Sequence, residues 1–436
     1  MGLYLVTGTV FLFISILAVK AISGRYLVSA VFIFLAFYVH MFLDPFFRLG
    51  FDPYLYEGSL PFMYLYNSAS YVFLVSGFLL YLSVSPSQWD RGASFKRRFL
   101  SDYSFYIAFF IVFVAFVFLV LGMKYFGRFD GGKGQFSYGG GGAAYRAIIM
   151  LSYLFYSLVP AMFISVFNDC RDERQYKIRM WLSVMGLFFV ALYSVSQFGR
   201  QTILFVVVTV SIIYVDRFRS IPKRGFLGLL VAFLFVTGFS LLRKSGEGLG
   251  DIDANSISML FEEDKLNAEV YFRSVVTLLP GQSVFSNVIQ MMEMESSFFY
   301  GKTYLDSVLR VLFPDFIVGG MVSDPPSFWY KENHLSYVSN HGFDFSLVAE
   351  TYMNFSYFGV LIFGVIGFGL ALLSRKVVRS SSPVIVIFSS IMIVNVVVGL
   401  RNDSNAFLVR AVYFVLPFLV INSLPRVYGG ARRNAG

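Results

Sequence analysis

A small set of ionisable residues stands inside or at the ends of long apolar runs, where charge is expensive. Glu350, Arg401 and Arg410 lie in or beside the last runs, and Arg200 occupies a tight Phe-Gly-Arg turn between two others. Ionisable residues at membrane depth are costly and default to functional hypotheses. Together with Arg273, they predict a site of several cations and one carboxylate on the outer side of a membrane.

Each of these residues also has a purely structural interpretation. Arg200 would simply snorkel to the membrane interface. Glu350 would form a structural ion pair with Arg401 or Arg410, and Arg410 would then be only that partner. Arg273 would be a solvated charge on an exposed helix.

Two histidines could also carry chemistry. His334 and His341 are seven residues apart, whereas zinc would require a closer i, i+4 pair or a third clear ligand, so no metal site is expected. His341 is a candidate general base or pyrophosphate-binding imidazole. No GxSxG, HExxH or CxxC pattern occurs, which argues against a classical hydrolase or metalloprotease.

The composition excludes an ordinary soluble enzyme. Of 436 residues, 57% are hydrophobic and 14% charged, whereas a soluble domain carries about 25% charged residues. The 53 Phe and 28 Tyr also exclude disorder, because they offer far more apolar surface than a disordered segment has. A single cysteine, Cys170, excludes an intramolecular disulfide.

The elements that must position these residues are apolar runs near the length of about 20 residues that a membrane-spanning helix needs. About eleven runs lie near 3–19, 26–43, 62–83, 105–122, 147–167, 180–197, 201–215, 225–242, 346–373, 383–399 and 405–424. The run at 201–215 is short and is expected to be tilted or shielded by neighbours. The runs place transmembrane helices 1–8 in residues 1–242, and helices 9–11 with a basic cytoplasmic tail in 346–436.

Lysine and arginine are divided unevenly between the two sets of loops. One set, with the tail, holds about 20 of the 35 basic residues in short loops, and the other holds about 14 in longer ones. Because basic loops stay cytoplasmic, the amino terminus is expected outside and the carboxyl terminus inside. The formal charge of +9 is therefore interpreted as a topology signal and not as a nucleic-acid-binding surface.

Residues 243–345 form the one long connection, and it is expected on the outer face. Connections of this length are uncommon unless they are functional. Thr303-x-x-Asp306 precedes an apolar run and predicts a capping box that opens a short helix. We expect this large periplasmic loop subdomain to lie on the membrane face and to cap a cavity.

Four motifs in this frame resemble those of the Wzy-type O-antigen polymerases, the oligosaccharide repeat-unit polymerases of bacterial surface polysaccharide synthesis. They are SQFGR at 196–200, YGKTY at 300–304, FSLVAETYMNF at 345–355 and GLRND at 399–403. About eleven spans with one large external loop late in the chain are similar to that family as well. Ser356 departs from the family pattern, in which glycine often stands.

The resemblance implies glycosyl transfer outside the cytoplasmic membrane. The donor would be a growing glycan on undecaprenyl pyrophosphate, and the acceptor would be one lipid-linked repeat unit. The acceptor hydroxyl would attack the anomeric carbon of the donor, and lipid pyrophosphate would leave. Because the sugar–pyrophosphate bond is already activated, no nucleotide, metal or other cofactor is expected.

The resemblance also assigns roles to residues of this chain. Arg200 and Arg273 would clamp the pyrophosphate with Arg401 in support, because guanidinium groups bind phosphate bidentately without a metal. Glu350 or His341 would accept or orient the proton of the acceptor hydroxyl. Further expected substrate contacts are Tyr352, Tyr304 and Lys302.

The expected fold class is an all-α polytopic membrane protein with about eleven transmembrane helices, a GT-C-like bundle with one large helical extracytoplasmic loop. It would lie in the bacterial inner membrane. Its expected partners are undecaprenyl-pyrophosphate-linked glycans, the bilayer and a chain-length regulator protein, and no nucleic acid. Three alternatives stay open: an O-antigen ligase, a lipid-linked oligosaccharide flippase, and a scaffold without chemistry.

Overall fold

The chain is helical throughout the part that the computed structural model describes. The described residues are 2–24, 27–46, 59–84, 102–125, 143–169, 172–196, 201–218, 282–295, 297–313, 315–318, 320–334, 345–400 and 402–414. They contain no strand. The all-α fold class is confirmed for these residues.

The helices in chain order begin and end as follows. The first seven are α1 Gly2–Ser23, α2 Val28–Tyr38 with a π-helical turn Val39–Leu43, α3 Leu60–Val84, α4 Asp102–Tyr125, α5 Ala143–Asp169, α6 Glu173–Ser196 and α7 Gln201–Phe218. The others are α8 Gln282–Glu295, α9 Lys302–Leu312, α10 Asp315–Val318, α11 Pro326–His334, α12 Leu347–Phe355, a 3₁₀ turn Ser356–Gly359, α13 Val360–Arg379 and α14 Pro383–Gly399. A last helix, α15, covers 404–414.

Seven helical segments in the described part of the chain are long and apolar enough to cross a membrane. They are Tyr4–Ser23, Val28–Phe46, Leu60–Val84, Ser104–Leu121, Leu151–Asn168, Glu173–Ser194 and Leu347–Arg379. Each of them overlaps a run that the sequence predicts as a span. A multi-pass membrane protein is therefore supported, and these seven positions agree with the sequence.

The remaining four predicted spans stay a prediction. α14 coincides with the predicted run at 383–399 but is a shorter apolar helix, and α7 covers the short run at 201–215. The run at 225–242 lies outside the described residues, and α15 covers only the first part of the run at 405–424.

The chain forms two compact units, each described by itself. The first unit contains residues 1–91, 275–376 and 392–412, and the second contains 92–274, 377–391 and 413–436. Residues 282–334 of the long connection thus pack in the same unit as the first three helices.

The second unit has an apolar core formed by α4, α5, α6 and α7. On α4 the buried residues are Phe105, Ala108, Val112, Ala115 and Leu119, and their spacing of three and four forms one helix face. The opposite face of α4 carries Phe110, Phe113, Phe118 and Leu121, all exposed. An apolar inner face and an apolar outer face are expected of a helix that packs on protein on one side and on lipid on the other.

In the first unit, α3 and α13 approach closely through glycines. A Cβ atom at Gly77 would clash with the carbonyl of Gly364, and one at Gly367 would clash with the carbonyl of Leu74. Small residues allow membrane helices to pack backbone to backbone. Gly364 and Gly367 are therefore contact positions of a helix pair, whereas Gly369 has nothing near its Cβ position, and α13 runs through all three without interruption.

The predicted ninth span is broken in the structure between α12 and α13. Ser356 ends α12 with φ 52° and ψ −135°, a backbone conformation that only glycine adopts without strain. Three residues later, a Cβ atom at Gly359 would lie 2.5 Å from the carbonyl oxygen of Thr351, so the chain folds back tightly on α12. Ser356 is the residue that departs from the glycine of the family pattern.

We predict that Ser356→Gly stabilises the protein, because it removes backbone strain that costs about 1–3 kcal/mol. Glycine also raises the conformational entropy of the unfolded chain, which offsets part of this gain. The expected net gain is about 1 kcal/mol, measured as thermal unfolding in detergent. Ser374→Gly within α13 is the matched control, and it should destabilise by roughly 0.5–1 kcal/mol because its backbone is helical. A lower melting temperature for Ser356→Gly would contradict the strain.

Candidate functional site

The site begins at the amino terminus of α12, which is fixed by a serine cap. The backbone of Ser346 is extended, and its Oγ accepts a hydrogen bond from the Val348 amide at 3.2 Å. The same Oγ lies 3.2 Å from Nε2 of the buried His40. Because Ser, Thr, Asp and Asn at this position satisfy unpaired helix amides, the first turn of α12 is held in place.

Glu350 lies in this first turn and has no exposed surface. Its Oε1 accepts hydrogen bonds from Thr303 Oγ1 at 2.8 Å and from Ser404 Oγ at 2.6 Å. Its Oε2 accepts one from the Ser404 backbone amide at 2.7 Å. Both carboxylate oxygens are thus engaged by side chains and backbone of the chain itself.

Ser404 is the first residue of α15, and its neighbour Asp403 caps that helix. Asp403 Oδ1 accepts from the Ala406 amide at 2.9 Å, and its Oδ2 accepts from Ser327 Oγ at 2.6 Å. An amide in the first turn of a helix has no partner within the helix. Glu350 supplies that partner for Ser404.

Three helix amino termini meet at the Glu350 carboxylate. Thr303 lies in the first turn of α9, Glu350 in the first turn of α12, and Ser404 begins α15. Each helix amino terminus carries a partial positive charge that favours an anion. The negative charge of the Glu350 carboxylate is therefore stabilised by the helix amino termini and by the hydrogen-bond donors.

Asn354 ties the loop motif at 300–304 to α12. Its Nδ2 donates to Thr303 Oγ1 at 2.7 Å and to the Glu350 carbonyl at 2.9 Å, while its Oδ1 accepts from the Gly301 amide at 3.0 Å. Gly301 has φ 85°, and a Cβ atom there would lie 3.1 Å from the ring of Phe355. The geometry requires glycine at this position.

One expectation about this segment is wrong. Thr303 and Asp306 do not form a capping box, because α9 begins at Lys302 after the left-handed Gly301 and has no side-chain cap. The Thr303 hydroxyl instead donates a hydrogen bond to Glu350, and Asp306 Oδ2 accepts one from the Ser323 amide at 2.9 Å. The short helix itself is confirmed.

The structure brings three of the four sequence motifs together around Glu350. The motifs at 300–304, 345–355 and 399–403 meet through Thr303, Glu350 and Leu400, whose carbonyl accepts from the Leu347 amide at 3.3 Å. The fourth motif ends at Arg200. Arg200, Arg273, His341 and Arg401 lie outside the described residues.

The three expected substrate contacts have different surroundings. Tyr352 is buried among aromatic rings, with Phe62 and Tyr66 at centroid distances of 5.3 and 5.6 Å. Lys302 is exposed, and its Nζ donates to Ser323 Oγ. The Tyr304 hydroxyl is buried and has no hydrogen-bond partner among the described residues. Burial, and then the nearby Glu350 carboxylate, raise the pKa of Tyr304, so the phenol stays protonated.

The ion pair between Glu350 and Arg410 is not formed. The Arg410 Nη2 donates to Asn402 Oδ1 at 3.3 Å, and its buried Nη1 has no partner among the described residues. Glu350 is instead satisfied by neutral donors. The alternative pair with Arg401 stays untested.

Sequence reasoning missed Ser404, which gives two of the three hydrogen bonds to Glu350. Its signal in the sequence is weak: a serine directly after Asp403 at the start of an apolar run, where either residue would serve as a helix cap. Ser307, which directly follows Asp306, was also missed because its signal in the sequence is equally weak. In the structure its Oγ lies 2.9 Å from Ser404 Oγ.

We predict that Thr303→Val destabilises the protein by about 1–3 kcal/mol, because it removes one donor to Glu350 and one of the two acceptors of the Asn354 side-chain amide. Thr303→Ser, the matched control, keeps the hydroxyl and should stay within about 1 kcal/mol of the wild type. Thermal unfolding of both variants in detergent measures the difference. Equal stability of the Val and Ser variants would contradict this role of the hydroxyl.

Comparison with known proteins agrees with these motifs. Residues 326–428 match the family model described as O-antigen polysaccharide polymerase Wzy. No curated protein and no solved structure matches the chain. The matched segment contains Glu350, Asn354 and Ser404, so it covers most of the network described above. Over residues 326–428 the chain is thus similar to the O-antigen polymerase Wzy family, and this match confirms the resemblance at the two motifs inside it, 345–355 and 399–403.

Proposed function

We propose that this protein polymerises undecaprenyl-pyrophosphate-linked oligosaccharide repeat units into an O-antigen-type surface polysaccharide, on the periplasmic side of the inner membrane. The observation that carries the proposal is that the family match and the candidate site coincide. The family match at 326–428 falls on the segment that contains Glu350, and in the structure Glu350 joins three of the motifs that resemble that family.

The proposed reaction is a single glycosyl transfer. The acceptor hydroxyl forms a bond to the anomeric carbon of the donor glycan, and the bond from that carbon to the pyrophosphate oxygen breaks. The acceptor proton goes to a base on the protein, and the lipid pyrophosphate leaves with the bonding electrons. Stabilisation of that leaving charge is the main task of the site.

Arg200 and Arg273 are the proposed pyrophosphate ligands, with Arg401 in support. Guanidinium groups remain charged and form paired hydrogen bonds with phosphate oxygens, so this role needs no metal. Support for Arg401 comes from its neighbours, since Leu400 and Ser404 are both hydrogen-bonded to α12. Leu400 and Ser404 are thereby held beside the first turn of α12.

For the proton acceptor, Glu350 and His341 are the two candidates. The geometry supports a positioning role for Glu350, because it has no exposed surface and its oxygens already accept three hydrogen bonds. A proton acceptor must come within hydrogen-bond reach of the reacting hydroxyl. We therefore assign the base to His341 and the alignment of the motifs to Glu350.

Three further residues are proposed to bind the substrate. The protonated Tyr304 hydroxyl, which has no hydrogen-bond partner among the described residues, is proposed to donate to a sugar or phosphate oxygen, and Lys302 at the exposed start of α9 adds a positive charge. Tyr352 would contribute its aromatic face. The amino terminus is proposed to be periplasmic and the carboxyl terminus cytoplasmic, and a chain-length regulator is the proposed protein partner.

The glycan ladder of a strain without this protein tests the proposal. A polymerase deletion should keep single repeat units on the lipid A core and lose all longer chains, and the wild-type chain should restore them. Loss of even the single-unit product would indicate a flippase or a ligase. An unchanged ladder would indicate a scaffold without chemistry.

A further inference from the structure

Helix α9 is amphipathic, but it buries its polar face and exposes its apolar face. Its buried residues are polar: Thr303, Asp306 and Ser307 are 5%, 6% and 2% exposed. Apart from Lys302 at its start, its exposed residues are apolar: Leu305, Val308 and Leu312 are 59%, 38% and 66% exposed. Both sets follow spacings of three, four or seven residues and therefore form the two faces of one helix.

The orientation of α9 is fixed by its polar face. Thr303 donates to Glu350, and Ser307 Oγ lies 2.9 Å from Ser404 Oγ. Asp306 accepts from the Ser323 amide, while Arg310 donates to the Ser323 carbonyl. These bonds would all be lost if α9 rotated to bury its leucines, so the outward apolar face is a property of the fold.

This arrangement would be unfavourable in water. Apolar surface left in water costs about 25 cal/mol for each Å² that burial would have removed. The exposed apolar surface also continues beyond α9, through Phe313, Ile317 and Met321 at 45%, 48% and 77% exposure. A contiguous patch of this kind marks a surface that contacts a partner or a membrane.

The patch adjoins the surface of a membrane span. Tyr304 of α9 stacks on Phe355 at the end of α12, with ring centroids 6.1 Å apart. Tyr357 and Phe358 follow directly and are 66% and 74% exposed, and they lie within the span candidate Leu347–Arg379. The apolar surface of α9 is thus linked through Phe355 to exposed aromatic residues of that span candidate.

The length of α9 decides how it can lie in a membrane. Its 11 residues reach roughly 16 Å at about 1.5 Å per residue, half of the hydrocarbon thickness of about 30 Å. It is too short to cross. A helix with one apolar face and basic residues beside the polar one, here Lys302 and Arg310, lies along the membrane boundary.

We propose that the α9 apolar surface, formed by Leu305, Val308, Leu312, Phe313, Ile317 and Met321, is embedded in the acyl chains of the surrounding bilayer. The helix then separates the Glu350 network on its inner side from lipid on its outer side. This places the network at the level of the membrane boundary. The proposal depends on membrane insertion and not on glycosyl transfer.

Depth-dependent fluorescence quenching tests this proposal on the full chain. A Cys170→Ser background carries Leu305→Cys or Leu312→Cys, labelled with a nitrobenzoxadiazole probe in nanodiscs of phosphatidylethanolamine and phosphatidylglycerol. Glu332→Cys is the control, because Glu332 is an exposed charged residue of α11. All three positions are exposed, so the label does not disturb packing, and size-exclusion chromatography confirms folded protein.

The probe at positions 305 and 312 should emit at shorter wavelength than at 332 and lose fluorescence when the acyl chains are brominated. Aqueous iodide should quench the probe at 332 and leave the other two unaffected. Strong iodide quenching at 305 and 312 would show that water covers the surface and would overturn the proposal. Insensitivity to both quenchers would show protein cover and would overturn it equally.

Discussion

A chain carrying Glu350→Gln is expected to lose long-chain polysaccharide while single-unit glycan on lipid A remains. Gln has the same shape as Glu, but an NH₂ group takes the place of one carboxylate oxygen. Because both oxygens of Glu350 accept hydrogen bonds, this NH₂ group would face a donor in either orientation. The Ser404 amide, or the Ser404 and Thr303 hydroxyls, would lose their acceptor. We expect the free energy of unfolding to fall by about 2–4 kcal/mol.

Glu350→Ala should give the same ladder with a greater loss of stability, because all three donors then lack an acceptor. The chain should still be detected in the membrane by immunoblot, since its other helices are unaffected. Polysaccharide of normal length in both variants would contradict the assignment of this residue.

Ser404→Ala separates a positioning role for Glu350 from direct proton transfer. It removes one hydroxyl donor to Glu350 and keeps the backbone amide. It should therefore lower the free energy of unfolding by about 1 kcal/mol and reduce the amount of long-chain polysaccharide without abolishing it. A positioning role also predicts an unchanged pH profile for the residual activity of both Ser404→Ala and Glu350→Gln. If Glu350 took the proton, Gln would leave no residual activity, whereas Ser404→Ala, which keeps the carboxylate, would retain wild-type activity; the loss of stability would be the same for either role.

The second large effect is expected for Arg200→Ala. If Arg200 binds the leaving pyrophosphate, its removal should slow polymerisation by about 10²- to 10³-fold, because the charge develops in the transition state. Long chains should disappear from the ladder at normal protein level. Arg200→Lys should recover only part of the rate, since an ammonium group cannot form the paired hydrogen bonds of a guanidinium group.

Lys177→Ala is the matched control for Arg200. It also removes one positive charge, but Lys177 is exposed on α6 and pairs with Glu173 at 2.7 Å, a surface pair of small energetic value. Its ladder should be that of the wild type. A normal ladder for Arg200→Ala would support the alternative in which this residue only snorkels to the interface.

The sequence predicted the membrane class and the positions of seven spans, because long apolar runs have few other interpretations. It could not predict the break between α12 and α13, since apolar residues continue on both sides of Ser356 and the break depends on the backbone conformation of that residue. Only the departure from a family glycine at that position hinted at it.

The site was predicted in part. The motifs containing Thr303, Glu350 and Asn354 were identified, but their convergence depends on contacts between residues up to 54 positions apart, such as Glu350 with Ser404. One structural interpretation paired Glu350 with Arg401 or Arg410, whereas the described residues supply neutral donors at helix ends. Helix periodicity also predicts which residues share a face of α9, but not that the polar face is buried.

Reconstitution with a defined substrate tests the central claim most directly. The purified protein, in proteoliposomes with one lipid-linked oligosaccharide repeat unit and with EDTA present, should convert that unit into a ladder of lipid-linked oligomers and release undecaprenyl pyrophosphate. The Arg200→Ala protein should leave the single unit unchanged. Recovery of only the single unit from wild-type protein, with transport across the bilayer or transfer to lipid A core as the sole activity, would contradict the proposal.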